Sequence, residues 1–390
     1  MRGMLDYSVT AKLGRTFELG PIRPPSEAYS LLIRATRNCP WNRCQFCPVY
    51  KGSKFELRPV SEILKDIEAV KAISEGIKEL AWKTGYGDRV RKTAAAVCRD
   101  LQYGHCVCHV ALWLATRGRT AFLQDSNTLI MRTPELIQVL SFLKKTFPGL
   151  NRVTTYARSH TAARKSLGEL KELKDAGLDR IHMGLETGYD RLLTYMDKGC
   201  TAANHVEGGK KAKEAGISLC DYVMPGLGGR KMSSEHARET ARVLNEIDPD
   251  YIRLRSLHVS RAMPLWTKLR ERDFELQTED EVVREIGVFI EDLQVTSYLK
   301  SDHILNMLME VEGKLPEDKE KCLNVVNRYL SLPDEERLNF KVGRRAGLYN
   351  RLADLSNSRK HYEVEQAIGH LRTEGSDVEE ATVKLKNSFI

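Results

Sequence analysis

Three cysteines near the start of the chain, Cys39, Cys44 and Cys47, lie in the segment Asn38-Cys39-Pro40-Trp41-Asn42-Arg43-Cys44-Gln45-Phe46-Cys47-Pro48. The segment comes directly after the apolar run Ser30-Leu31-Leu32-Ile33. Thiolates this close, in a loop leaving a strand, can converge on one metal centre. A zinc ribbon or an ordinary ferredoxin cluster supplies a fourth protein ligand. Three thiolates leave one iron of a [4Fe–4S] cluster open to bind something else, which marks a cluster used for chemistry. Taken alone, the same three residues also suit a zinc scaffold completed by an outside ligand.

The elements that would position this loop alternate between strand and helix signals. Residues 29–35 read as a strand and 60–83 as a helix with apolar residues at helical spacing. Residues 120–123 read as a short buried strand leading into Gln124-Asp125-Ser126. Thr133 then reads as a helix cap, with Pro134 at the first helical position. The rhythm continues with strands at 152–156, 180–185, 217–224 and 251–258 and helices at 166–176, 202–215 and 233–247. Six strands each followed by a helix predict an α/β fold with a parallel sheet, open or curled into a partial (βα)6 TIM-like barrel. The expected domains are an N-terminal extension (1–28), a core (29–280) and a helical C-terminal region (281–390). Residues 85–118 form an insertion longer than an ordinary connection. It holds Cys98, His105, Cys106, Cys108 and His109. The favoured reading is a helical insertion with incidental buried thiols; a second metal site is the sharper alternative.

The bulk composition excludes several classes. The chain has 390 residues, 42% hydrophobic and 29% charged, as in ordinary globular enzymes. No apolar stretch reaches the roughly 18 residues of a membrane span, and the N-terminus lacks a signal-peptide core. Nine irregularly spaced cysteines argue against a secreted disulfide framework and for a reducing cytoplasm. The net charge of +8 is spread along the sequence. Such a balance suits an anionic substrate, RNA or an acidic electron donor without choosing among them.

The cysteine loop after the first strand, followed by a βα series, resembles the radical S-adenosylmethionine (radical SAM) superfamily over residues 29–260. The most familiar family spacing has three residues between the first two cysteines, and this chain has four. Cys44-Gln45-Phe46-Cys47 keeps the family's final pair, with an aromatic residue before the last cysteine. The resemblance implies that Cys39, Cys44 and Cys47 hold a [4Fe–4S] cluster and that Phe46 lies near the adenine of S-adenosylmethionine. It implies that Gln124, Asp125 and Ser126 stand where the family carries a Gly-Gly-Glu-like segment, with Asp125 as acceptor for the methionine ammonium. Glu186, in Gly184-Leu185-Glu186-Thr187-Gly188, would meet the ribose hydroxyls. Gly226 and Gly228, in Met224-Pro225-Gly226-Leu227-Gly228-Gly229, would let backbone approach the cofactor. The open iron would chelate the cofactor's amino and carboxylate groups. An electron from a donor such as flavodoxin or ferredoxin would then break a carbon–sulfur bond and start radical chemistry.

On the substrate side, Tyr156, Arg158 and His160 follow the third strand, His182 lies on the fourth, and Arg253, Arg255 and His258 lie on the sixth. Arg253 and Arg255 should share a strand face and clamp a carboxylate or phosphate, or else form salt bridges at the sheet edge. His182 reads more readily as a core residue. Residues 301–306 are expected either to close over the site or to open a helix with Asp302 as cap. The leading expectation is a cytoplasmic radical SAM enzyme acting on a small, partly anionic molecule. The alternatives are an RNA-modifying enzyme on the same core and a non-catalytic metal-binding scaffold.

Overall fold

The computed structural model describes residues 7–387, except 101 and 376. The described residues fall into two compact units, one within 1–42, Val49–Met183 and Lys210–Ser218 and the other within Arg43–Pro48, Gly184–Gly209 and 219–390.

In the first unit, β1 (Leu31–Arg34), β2 (Thr120–Gln124), β3 (Arg152–Ala157) and the start of β4 (Arg180–Glu186) pair in parallel, in chain order. Leu31 pairs with Ala121, and Ala121 in turn with Val153. All four residues of β1 except Arg34 are buried, as expected for a parallel strand covered on both faces. The helix Val60–Lys83 buries Ile63, Ile67, Val70, Ile73, Ile77 and Leu80, the three-to-four spacing of one helical face. The helix Leu167–Asp175 is opened by a capping box between Ser166 and Glu169. Thr133 is not the cap of its helix: Arg132 occupies that position, and the Thr133 hydroxyl donates to Glu169 Oε1 at 2.6 Å.

The insertion folds into two helices, Val90–Arg99 and His105–Ala115, joined by a disulfide between Cys98 and Cys108. Cys106 is buried and its thiol faces the Phe17 carbonyl at 3.3 Å. The insertion's cysteines are therefore a covalent staple and a packed thiol. His109 from the second helix accepts the backbone N–H of Leu32 on β1 at 3.0 Å. Burial, assisted by the Arg23 charge, pushes His109 down to about 4, which keeps a ring nitrogen available as acceptor.

In the second unit, β5 (Ser218–Val223, from Leu219 on), β6 (Tyr251–Leu254) and β7 (Tyr298–Lys300) pair in parallel, and β8 (Gly313–Lys314) joins β7 antiparallel. The strand order follows chain order in each unit, as in a TIM-like α/β fold. The region after residue 280 is not purely helical, because β7 and β8 lie in it. At three and two residues they are too short to show the alternation by which a strand is read from sequence. The helices Ser233–Ile247, Glu279–Asp292, Lys319–Leu330, Asp334–Arg345 and Ser358–Thr373 make up most of the rest.

Candidate active site

The cysteine loop leaves the end of β1 and bends at two left-handed residues on either side of Cys39, Asn38 (φ 64°) and Asn42 (φ 49°). Asparagine tolerates this region better than most residues with a side chain. Several bonds fix the bend. The Asn42 amide donates to the carbonyls of Tyr50 and Ser53, and Lys51 Nζ donates to the Asn42 carbonyl at 2.7 Å. The Asn42 backbone N–H points at Cys39 Sγ at 3.4 Å, the kind of N–H···S contact that tunes a ligated sulfur.

Residues 124–126 at the end of β2 brace this loop. Asp125 is fully buried, and its Oδ2 receives Arg34 Nε and Nη2 at 3.0 and 2.8 Å while its Oδ1 receives the Tyr50 hydroxyl. Ser126 Oγ donates to the Asn38 carbonyl at 3.0 Å. The Gln124 amide exchanges bonds with Gly20 and Ile22: it accepts the Gly20 N–H at 2.9 Å and donates to their carbonyls at 3.1 and 2.6 Å. Asp125 and Ser126 thus hold the chain beside Cys39, while Gln124 ties down the segment at Gly20 and Ile22. Sequence reasoning missed Arg34 and Tyr50 because their part depends on Asp125, which lies far away in sequence.

The second half of the loop, residues 43–48, belongs to the second unit. Gln45 is held by backbone bonds, donating to the Met196 carbonyl and accepting from the Leu265 N–H, both at 2.9 Å. Phe46 joins Leu192, Met196, Met224, Leu227, Leu257, Leu265 and Phe274 in an apolar cluster, with Cys44 and Cys47 packed against it. Lys198 Nζ lies 5.4 Å from the Phe46 ring centre and 3.4 Å from Glu186 Oε1. Glu186 has φ 65°, and its carbonyl accepts the Met224 N–H at 3.0 Å. Gly184 makes room for its carboxylate: a Cβ there would lie 2.5 Å from Glu186 Oε1.

Asp221 on β5 is buried, and Oδ2 has no hydrogen-bond partner among the described residues. Burial, and then the nearby charge of Glu186, pushes it up to about 8, so it is protonated at neutral pH. The only signal in the sequence was a single acid inside the β-rich run Leu219-Cys220-Asp221-Tyr222-Val223. The Met224–Gly229 turn is anchored from behind. Gly226 (φ 87°) donates its N–H to Glu285 Oε1 at 2.7 Å, and Glu285 Oε2 accepts Ser233 Oγ at 2.6 Å. His236 adds contacts to Thr187 Oγ1 and the Met224 carbonyl at 2.9 and 3.1 Å. A Cβ on Gly228 would come within 2.7 Å of the Met232 carbonyl, so this glycine is required by the turn's own closure.

The substrate-side expectations divide. Arg253 is buried and pairs with Asp302 at 2.5 Å, while Arg255, beyond the end of β6, is exposed; the two do not form a clamp. Residues 301–306 form a loop with no helix for Asp302 to cap. His182 is buried 3.7 Å from Glu27, which also pairs with Arg152 at 3.0 Å. Tyr156 packs edge-on against Phe122, and Arg158 stacks 5.0 Å from the Trp41 ring centre. His160 and His258 are half-buried.

Among the described residues no three His, Cys, Asp or Glu side chains gather closely enough to share one ion. A four-iron cluster makes a different demand, since each thiolate binds a different iron. Cys39, Cys44 and Cys47 are half-buried and outside any disulfide, and two of them rest on an apolar bed. That donor set and setting fit such a cluster.

Residues 117–243 match the family model Radical SAM superfamily, and this part of the chain is a radical SAM domain. Enzymes of this superfamily use a [4Fe–4S] cluster and S-adenosylmethionine. The chain is 20% identical to a tRNA uridine(34) acetyltransferase of Methanocaldococcus jannaschii over 72% of its own length and 50% of the relative's. It is 28% identical to a biotin synthase of Clostridium botulinum over 31% of its own length and 35% of the relative's. Among solved structures it is similar to coproporphyrinogen III oxidase from Escherichia coli, a radical SAM enzyme, at 14% identity and a TM-score of 0.43, covering 73% of this chain and 54% of that one. The chain spans about a third to a half of the length of the curated relatives it matches. No helix among the described residues is long and apolar enough to cross a membrane.

Proposed function

We propose that this chain is a radical SAM enzyme whose cluster is held by Cys39, Cys44 and Cys47 and whose substrate is a small, partly anionic molecule in the cytoplasm. The observation that carries this reading is the bracing beside Cys39: a fully buried Asp125, with Arg34 and Tyr50, holds the chain where the loop bearing three thiols outside any disulfide begins. When bound, the cluster and S-adenosylmethionine supply a one-electron cleavage that begins radical chemistry, with electrons from a donor protein such as flavodoxin or ferredoxin. The chain's own residues do the rest. Phe46 and its apolar neighbours would exclude water, Glu186, paired with Lys198, would accept from the ribose hydroxyls, and Glu285 fixes the Gly226–Gly228 turn.

Anaerobic reconstitution with iron and sulfide tests this directly. The expected result is a cluster with visible absorbance that, once reduced, cleaves S-adenosylmethionine. Protein that binds zinc but assembles no cluster would leave the scaffold reading standing instead. A second reading, an RNA substrate, draws on the relative whose name makes it a tRNA uridine acetyltransferase. RNA binding that falls steeply with added salt would favour it.

A further inference from the structure

Arg344 and Arg345, at the end of the helix Asp334–Arg345, are 1% and 2% exposed. Arg344 Nη2 donates to the carbonyls of Ile304 and Asn306 at 3.0 and 3.3 Å, and Arg345 Nη2 donates to that of Leu305 at 3.0 Å. Among the described residues Arg345 pairs with the Glu279 carboxylate, whose Oε1 receives Arg345 Nε at 3.0 Å and lies 3.4 Å from Lys386 Nζ. Arg344 Nε, Arg345 Nη1 and Glu279 Oε2 have no hydrogen-bond partner among the described residues. The neighbouring acid, Asp280, is already occupied by the Tyr329 hydroxyl at 2.6 Å and by Arg337 and Lys341 at 3.5 and 3.8 Å.

Arg345 and Lys386 thus share one carboxylate, and Arg344, bonded to backbone carbonyls, lies close enough to feel the charges of Arg345 and Glu279; among the described residues the cluster holds an excess of two positive charges. Burial, and then the Arg345 charge, lowers the Arg344 guanidinium, and burial likewise lowers the Lys386 ammonium. Charges buried without compensation are costly and are retained where a counter-ion completes them. The cluster also has a meaningful address. The loop it grips is docked on the end of β6: Asn306 Oδ1 accepts the Ser256 N–H and hydroxyl at 2.9 and 3.0 Å, and Asn306 Nδ2 donates to the Leu254 carbonyl at 2.8 Å. The C-terminal ends of parallel strands are where α/β folds place ligands.

We propose that Arg344, Arg345 and Lys386 bind the phosphate monoester of the substrate at the C-terminal end of β6. A phosphate monoester carries about −1.5 to −2 charge at neutral pH, which matches the excess of the cluster, and a guanidinium presents paired donors to its oxygens. This deepens the reading of an anionic small-molecule substrate and rests on it.

Isothermal titration of the full-length protein with inorganic phosphate, at constant ionic strength, tests the site without any turnover. Saturable binding is expected, together with a rise in Tm that chloride at the same ionic strength does not give. Lys386→Met removes the most accessible of the three cations and should weaken phosphate binding at least about tenfold while leaving Tm in chloride nearly unchanged. Arg345→Lys, which keeps the charge but loses the fork, should weaken it less. Glycerol phosphate should compete with phosphate, and an oligonucleotide without a terminal phosphate should not. Phosphate that binds no better than chloride, full affinity in Lys386→Met, or competition by the oligonucleotide alone would overturn the assignment. Cleavage of S-adenosylmethionine without substrate does not involve these residues, so it fails or succeeds separately.

Discussion

Arg34 and Asp125 form an ion pair in which Nε and Nη2 of one guanidinium both donate to Oδ2 of a fully buried carboxylate, at 3.0 and 2.8 Å. The pair joins the end of β1 to the end of β2 across 91 residues of sequence, and the cysteine loop starts from it. Asp125→Asn would leave Arg34 without its counter-charge, which in a buried pair costs about 3–5 kcal/mol. The expected outcome is a large fall in the denaturant midpoint together with reduced iron incorporation. The double variant Arg34→Met/Asp125→Leu should be less destabilised than the sum of the single changes. Additivity in that cycle would mean the two residues are not coupled.

The cluster assignment separates two sets of cysteines. Alanine at Cys39, Cys44 or Cys47 should abolish the visible absorbance of the reconstituted protein and its cleavage of S-adenosylmethionine. Serine at both Cys98 and Cys108 should spare these signals, because that disulfide closes the insertion hairpin. Its loss should lower stability by about 2–3 kcal/mol on the chain-entropy argument for a loop this short. Thermal unfolding with and without reductant measures the second effect, and iron analysis the first.

Asp221 gives stability a pH dependence with a definite sign. Folded, it holds its proton up to about 8; unfolded, it releases it near the ordinary carboxylate value. Between those limits the folded state binds more protons than the unfolded one. Its contribution to stability is therefore fully present at low pH and is lost as pH rises toward 8, by at most about 1.4 kcal/mol per unit. Asp221→Asn should flatten this slope and be relatively more stable than the parent at pH 8 than at pH 5. Parallel urea curves at the two pH values would expose a failure of the idea.

Glu285 ties the helix Glu279–Asp292 to the turn at Gly226 by accepting its N–H at 2.7 Å while also accepting Ser233 Oγ. Glu285→Ala strands a buried donor in the turn and should cost about 1–3 kcal/mol. Glu285→Gln keeps one acceptor oxygen and should recover part of that. If the turn serves cofactor binding, affinity for S-adenosylmethionine should fall in step, read by equilibrium dialysis of the reconstituted protein.

Gly188 sits where a Cβ would lie 2.4 Å from the Glu239 carbonyl oxygen and 2.8 Å from a Val243 methyl. The obstacle is helix backbone, which cannot turn aside as a side chain can. Gly188→Ala should therefore destabilise by about 1–3 kcal/mol or more, and a neutral result in thermal unfolding would contradict the packing described.

The sequence by itself determined the features carried by local pattern. The spacing of Cys39, Cys44 and Cys47 marked the loop that is proposed to hold the cluster. Three-to-four periodicity located Val60–Lys83, and apolar β-rich runs located β1 to β6, because burial on one face or on both writes itself directly into residue order. Tertiary structure decided what depends on partners distant in sequence. Asp125 read as an acceptor for the cofactor's ammonium, and what folding adds is Arg34 and Tyr50, which pair with it beside the start of the cysteine loop. Arg253 and Arg255 read as a pair by alternation, but β6 ends at Leu254, and Asp302 captures one of them. The gathering of Arg344, Arg345, Lys386 and Glu279 has no counterpart in local spacing. Charge density within a folded site is a property of packed volume, and residues separated by dozens of positions fill that volume only once the chain has folded.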